Sequence, residues 1–331
     1  MVNNYLIQKN LVVRVYTIGF DPMGESVLIT ICDDDYVIFS GLIDCFINGN
    51  DYITKLLNNL NITKLNYLCI THPDLDHCIG VPNIIDRIDC NTKIAIPNRI
   101  FDFMEQYDEN VRESLQVLRE LLMLRADSKR KPIFRSVSDT SDIIDNWNFI
   151  DYKGELSTLK IMTITPSTNA IERYAYRQSR GDVIVEHNDF SIINLIQINN
   201  VKILLTGDAI NSSIKEAFNN MNRFGIEFFD SKIDFIKIPH HTSPGSKLLL
   251  EKIKGSGKGI GVSVTTIFRS SNLPNQSLFS EYNTYSDSSF CTSSKQSELL
   301  KNGIVLFEAD ITNSRKKVLL VDTAVNFNDY N

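Results

Sequence analysis

Three features predict an α/β fold for this chain. Runs rich in β-branched residues alternate with stretches of helical periodicity, polar clusters follow directly on several of those runs, and the composition can fill a large core. Of 331 residues, 43% are hydrophobic and 22% charged. With a mean hydropathy of −0.11, these values exclude extended disorder and collagen-like or mucin-like chains.

Taken in order, Val12 to Ile18, Ser26 to Cys32 and Tyr36 to Leu42 read as strands, and Asp33-Asp34-Asp35 suits a hairpin turn between the last two. Asp51 to Leu60 spaces Ile53, Leu56, Leu57 and Leu60 as one helix face, and Leu65 to Ile70 is a short buried strand. Phe101 to Arg125 is predicted as a helix from Val111, Leu115, Leu118, Leu121 and Leu122. Ser136 to Asp145, rich in Ser, Asp and Thr, is predicted as a loop, and Ala170 to Arg180 as a mobile one. Leu159 to Thr165, Phe190 to Ile198 and Val201 to Thr206 read as strands, the last two joined by a tight Asn199-Asn200 turn. A helix over Ser212 to Asn220 precedes the strand Phe235 to Pro239, and Val262 to Phe268, Ile304 to Glu308 and Val318 to Val321 complete the strands. No repeat or linker divides the chain, so residues 1–331 are expected to form one domain, with a helical and loop insertion at about 101–158.

The 34 basic and 40 acidic residues leave a net charge of −6, so whole-molecule attraction to nucleic acid is not expected, although a local basic patch would still bind it. The six cysteines show no CxxC spacing and read as reduced core thiols. No apolar run is long enough for a membrane helix, and Met1-Val2-Asn3-Asn4-Tyr5 does not open a signal peptide. The expectation is a cytoplasmic protein without membrane association.

Chemistry concentrates at strand ends. Four of the five histidines lie there, in His72-Pro73-Asp74-Leu75-Asp76-His77 and His240-His241, and Asp208 follows Leu204-Leu205-Thr206-Gly207. An isolated acidic turn is as readily a solvated cap, but imidazoles and carboxylates repeated after three strands match what borderline divalent metals require. A pair of ions needs roughly six to eight such groups. In this reading His72 and Asp74 face one ion, Asp76 and His77 the other, and Asp208 bridges them. Ions about 3.5 to 4 Å apart generate hydroxide and stabilise both oxygens of a displacement.

Four segments carry a resemblance to a known family: Thr71-His72-Pro73-Asp74-Leu75-Asp76-His77-Cys78-Ile79-Gly80, Asn188-Asp189-Phe190-Ser191-Ile192, Leu204-Leu205-Thr206-Gly207-Asp208 and Lys237-Ile238-Pro239-His240-His241-Thr242-Ser243. Over about residues 12–270 the chain resembles the metallo-β-lactamase superfamily, in the branch similar to the hydrolase domain of the DNA-uptake competence protein ComEC. Gly24-Glu25-Ser26 is similar to that branch's G-D-S turn and Asp44 to its strand-ending aspartate. The resemblance implies an αββα sandwich of two mixed sheets flanked by helices. It implies two divalent ions, zinc by preference with manganese the alternative. His72, Asp74 and Asp208 would hold the first ion, with Asn188, beside His187, at the family's third histidine. Asp76, His77, Asp208 and one histidine of the 240–241 pair, His240 favoured, would hold the second. The chain departs from the family where Asp74 replaces a histidine, Thr242 a glycine and Leu273 the histidine of a His-Pro pair.

The functional expectation is a dinuclear metal-dependent phosphodiesterase or nuclease working by metal-bound hydroxide, with Asp76, His77 and Asp208 as the residues catalysis depends on. Its substrate would be nucleic acid or another phosphodiester. Arg173, Arg177 and Arg180 would neutralise phosphates, Tyr174 and Tyr176 stack on bases, and Ser243 contact a substrate oxygen. Two alternatives are a small-molecule phosphoester or ester hydrolase, and a catalytically weak partner-binding or sensor subunit of a multi-gene defence system with its protein partner encoded nearby. Gly255-Ser256-Gly257-Lys258 lacks phosphate-loop spacing and reads as a turn.

Overall fold

The computed structural model describes residues 3–48, 51–103, 109–127, 129–181, 186–296 and 301–330. Two mixed sheets face each other. The first runs, edge to edge, through Asn3–Leu6, Ser141–Ile150, Leu156–Thr163, Asn194–Ile198, Val201–Leu205, Ile233–Lys237, Ile260–Thr265, Ser286–Cys291 and Val325–Asn326. The second runs through Arg315–Asp322, Asn302–Asp310, Leu11–Phe20, Glu25–Asp33, Tyr36–Ile43, Tyr67–Cys69, Lys93–Pro97 and Ile133–Val137.

The alternation of each strand explains the layering. In Leu11–Phe20, Val13 and Val15 point between the sheets, where Ile29, Phe39, Ile196, Ile203 and Phe235 meet them. Ile18 and Phe20 point outward, to a layer formed with Leu57, Leu115 and Leu118. On the far side, Leu204 and Ile236 pack under Ile214, Met221, Leu249 and Phe279. Helices Tyr52–Asn59 and Glu109–Met123 cover one sheet, and Asn211–Phe224, Leu248–Ser256 and Gln276–Tyr285 cover the other. The result is the αββα sandwich.

Several sequence expectations need correction. Ser136 to Asp145 is not a loop: Ser141–Ile150 sits in the first sheet, parallel to Asn3–Leu6 and antiparallel to Leu156–Thr163. Ile133–Val137 likewise pairs with Lys93–Pro97. Besides the helix Glu109–Met123, the region 101–158 therefore holds the strands Ile133–Val137 and Ser141–Ile150, one in each sheet. Cross-strand pairing satisfies the backbone of a segment whose polar composition suggested a turn. Ala170 to Arg180 is also no loop, but part of the helix Thr168–Ser179, capped where Ser167 accepts from the Ala170 amide. Its apolar face is only Ala170, Ile171 and Tyr174, too narrow to stand out as periodicity. The strand expected from Phe190 begins at Asn194, after a 3₁₀ turn at His187–Phe190. In the helix expected from Phe101, a 3₁₀ turn covers Ile100–Phe103 and the α-helix covers Glu109–Met123. Residues 104–108 and the Val111 side chain lie outside the described residues. The cysteines carry no disulfide, and all but Cys90 are buried.

Strands Tyr36–Ile43, Tyr67–Cys69, Val201–Leu205, Ile233–Lys237 and Ile260–Thr265 all deliver their carboxyl ends to one rim of the sandwich, because neighbours within each set run parallel. Such a rim is where α/β sheets place polar sites, since backbone and side chains there are released from the ladder.

Candidate metal centre

The loop after Tyr67–Cys69 carries His72, then a single helical turn, Leu75–Cys78, in which Asp76 and His77 are buried. Asp208 follows Val201–Leu205 and is also buried. Gly207 between them adopts φ +49°, and a Cβ there would lie 2.9 Å from the Thr71 side chain, so the two loops can cross only at a glycine.

His77 Nε2 lies 3.6 Å from both Asp76 Oδ2 and Asp208 Oδ2. His241 Nε2 lies 3.4 Å from Asp208 Oδ2 and 3.9 Å from Asp76 Oδ2. His72, His77 and Asp208 each place a ligand atom within 4.8 Å of the others, as do Asp76, His77 and His241. His72 Nε2 is 3.3 Å from Asp74 Oδ2. The sequence reading preferred His240, but the member of the pair that meets the carboxylates is His241. The reason is backbone geometry: His240, His241 and Thr242 all have left-handed φ, at 48°, 49° and 63°. This turn swings the second imidazole inward. Thr242 holds its left-handed conformation without being a glycine, and its hydroxyl donates to Thr265 Oγ1 at 2.7 Å.

Among the described residues, His72 Nε2, His77 Nε2 and His241 Nε2 are buried without a hydrogen-bond partner. Their other ring nitrogens are all engaged: His72 Nδ1 with Thr71 Oγ1 at 2.9 Å, His77 Nδ1 with Asp44 Oδ2 at 2.8 Å, and His241 Nδ1 with Thr266 Oγ1 at 2.8 Å. Three unpartnered imidazole nitrogens beside Asp76 and Asp208 form a donor set that suits a divalent cation.

The electrostatics agree. Burial disfavours the Asp208 carboxylate, but His241, His77 and Lys237 hold its pKa well below the usual range. Burial raises the pKa of Asp76, and Asp74 and Asp208 raise it further. Against burial, Asp76, Asp44 and Asp208 draw a proton onto His77 and lift its pKa well above the ordinary imidazole value. A buried carboxylate cage that captures a proton is one that a metal cation can occupy by displacing it.

The first-ion group is less compact. His187, which the sequence placed only as a neighbour, approaches Asp74 at 2.8 Å. Asn188 is buried beside it, its Oδ1 without a hydrogen bond. His240 Nδ1 is also buried and unbonded, and burial lowers that residue's pKa.

Of the expected substrate residues, Arg173, Tyr176, Arg177 and Arg180 are exposed. Tyr174 is not available for stacking: its ring packs on Phe190 at 5.0 Å, and its hydroxyl donates to Asp189 Oδ2 at 2.6 Å. Ser243 caps the next turn, accepting from the Gly245 amide at 3.3 Å. Two residues outside the proposed ligand sets, Glu25 and Lys237, are buried at the centre's back. They form an ion pair at 2.5 Å, and the Lys237 ammonium also lies 3.5 Å from Asp208 Oδ1.

Residues 22–169 match the sequence model of the metallo-β-lactamase superfamily. The chain carries a metallo-β-lactamase domain. The match ends before Asp208 and the histidine pair, which the sheet order brings back to the His72–His77 loop. No curated protein matches this chain in sequence. Among solved structures, the domain is similar to a diphosphatase of the PhnP family at 11% identity and TM-score 0.41, over 88% of this chain and 96% of the other. It is similar to a metallo-β-lactamase from Thermotoga maritima at 11% identity and TM-score 0.33, over 64% and 92%. A third is zinc-bound PqqB from Methylobacterium extorquens at 10% identity and TM-score 0.33, over 66% and 60%. No helix among the described residues is long and apolar enough to cross a membrane.

Proposed function

We propose that this domain is a dinuclear metal-dependent hydrolase of phosphodiesters, with nucleic acid as the substrate class. The observation that carries the metal reading is the trio of buried, unpartnered Nε2 atoms of His72, His77 and His241 facing Asp76 and Asp208. Asp76, His77 and His241 would hold one ion, and His72 and Asp74, with Asn188 or its neighbour His187, the other. Asp208 would be shared. Divalent ions in such a site supply Lewis acidity toward a phosphoryl oxygen and make water a nucleophile near neutral pH.

The chain's own residues do the positioning. Lys237 engages Asp208 Oδ1 and so leaves Oδ2 turned toward His77 and His241. Asp44 takes hydrogen bonds from the Thr71 amide at 2.7 Å and the Thr71 hydroxyl at 2.8 Å, which anchors the loop bearing His72. The phosphodiester reading is supported by the helix Thr168–Ser179, which spaces Arg173 and Arg177 at i and i+4, with Arg180 as its C-cap at i+7. Tyr174 fastens that helix to the turn bearing His187 and Asn188, and Arg173 lies 3.8 Å from Glu216 Oε1.

The test is elemental analysis of purified protein after reconstitution with Zn²⁺ or Mn²⁺, followed by incubation with single-stranded DNA, RNA and bis-p-nitrophenyl phosphate. Close to two ions per chain and chelator-sensitive cleavage are expected. A chain that retains no metal would overturn the reading in favour of a partner-binding or sensor role. Metal binding with turnover of bis-p-nitrophenyl phosphate but neither nucleic acid would move the substrate to a small phosphoester.

A further inference from the structure

Two of the three inward-facing imidazoles are held by a threonine, and each threonine is backed by a carboxylate. Thr266 Oγ1 donates to Glu25 Oε2 at 2.6 Å and lies 2.8 Å from His241 Nδ1. Thr71 Oγ1 donates to Asp44 Oδ2 at 2.8 Å and lies 2.9 Å from His72 Nδ1. A hydroxyl has one proton to give. Glu25 is paired with the buried ammonium of Lys237 at 2.5 Å, so it is an acceptor and takes the Thr266 proton. Only lone pairs of Thr266 Oγ1 then remain for the imidazole, and His241 must present Nδ1–H to it. The unpartnered Nε2 is thereby left with its electron pair facing Asp208 and Asp76.

We infer that Thr266 is a positioning residue, one link of a buried relay Lys237–Glu25–Thr266–His241 that fixes the imidazole tautomer needed for metal ligation. The inference rests on the metal-centre reading above and adds how the site selects its ligand atom. Thr266 does not titrate, so the group that touches the His241 ring is neutral, and the Glu25 carboxylate stands behind it, 3.6 Å from His241 Nδ1. A carboxylate contacting imidazole directly, as Asp44 does with His77, would also favour the charged ring. Interposing a hydroxyl keeps the direction of the hydrogen bond while moving the charge one group further off. Glu25 opens the strand Glu25–Asp33 of one sheet, whereas Thr266 follows the last residue of Ile260–Thr265 in the other. The relay thus joins the two layers at the rim.

The experiment uses the full chain with ¹⁵N-labelled histidine, recorded metal-free in alkaline buffer, and zinc titration calorimetry of the same samples. Wild type is expected to show His241 as the Nδ1–H tautomer. Thr266→Val, which keeps the shape and removes the acceptor, should populate both tautomers and weaken zinc binding by roughly 10-fold. Thr266→Ser should restore the tautomer and the affinity, and circular dichroism should show all three folded. A Thr266→Val protein that retains a single Nδ1–H tautomer would overturn the relay, whatever happens to zinc affinity. A tautomer shift in a protein whose wild type takes up no zinc would support the relay and reject the metal centre, so the two failures are separable.

Discussion

His187 Nε2 lies 2.8 Å from Asp74 Oδ1, joining two residues 113 positions apart in the chain. The contact puts the His187 imidazole near the place where the resemblance implied Asn188, with His187 beside it. A neutral amide is a weaker ligand than imidazole for zinc. His187→Ala should therefore weaken the first ion at least 10-fold, Asn188→Ala should have a smaller effect, and Asp208→Ala should release both ions. Zinc titration of the three variants checks this ordering; equal loss in the two neighbours would remove the distinction.

Asp76 and His77 should separate function from stability. Both substitutions to alanine should reduce hydrolysis at least 100-fold. His77→Ala also strips Asp44 of a buried partner at 2.8 Å, and breaking such a pair costs about 3 kcal/mol. Asp76→Asn instead removes one carboxylate from a crowded cage and should raise the melting temperature of the metal-free protein. Thermal melts of the chelated variants, recorded beside their rates, decide it.

Salt dependence tests the basic helix. If Arg173, Arg177 and Arg180 each meet a backbone phosphate of single-stranded nucleic acid, replacing all three with alanine should flatten the slope of log affinity against log salt by about 2. Turnover of bis-p-nitrophenyl phosphate should persist. An unchanged slope would make the arginines a solvated face.

Tyr174→Phe should behave as a structural variant. It loses the one hydroxyl proton that Tyr174 donates to Asp189 Oδ2, with the Glu186 carbonyl the other acceptor in reach, at a cost of about 1 kcal/mol. Denaturant unfolding should show that loss, while the salt slope of nucleic-acid binding stays as in wild type.

Away from the centre, Glu308 is paired with Arg14 at 2.7 Å and Lys317 at 2.8 Å. Burial opposes its ionisation, yet hydrogen bonds from Lys317 and Arg14 hold its pKa below the ordinary 4.5. A lowered folded value means that the contribution is complete above about pH 4.5 and disappears as pH falls through the folded value. Glu308→Gln should lower stability at pH 7 by no more than about 1 kcal/mol, since solvent reaches the group. The difference from wild type should vanish in acid, as unfolding curves across pH would reveal.

The sequence by itself determined the strand-and-helix alternation and the place of the acid and imidazole clusters at strand ends. These are local properties: side-chain periodicity marks Leu11–Phe20 as a strand whatever surrounds it, and a motif as dense as His72 to His77 is read within six residues. Only the tertiary structure decided which histidine of the 240–241 pair turns inward, because three successive left-handed residues set that direction and none of them is a glycine. It also decided that Ser141–Ile150 is a strand and Thr168–Ser179 a helix. Pairing to Asn3–Leu6 and Leu156–Thr163 overrides the polar composition of the first, and packing of Tyr174 on Phe190 supplies what the narrow apolar face of the second does not advertise. Glu25 and Thr266 stand 241 positions apart, and no local signal joins them. Their meeting is a consequence of sheet order and register, which bring strand ends from both layers to one rim, where a proton on a hydroxyl can be committed to one partner and denied to the other.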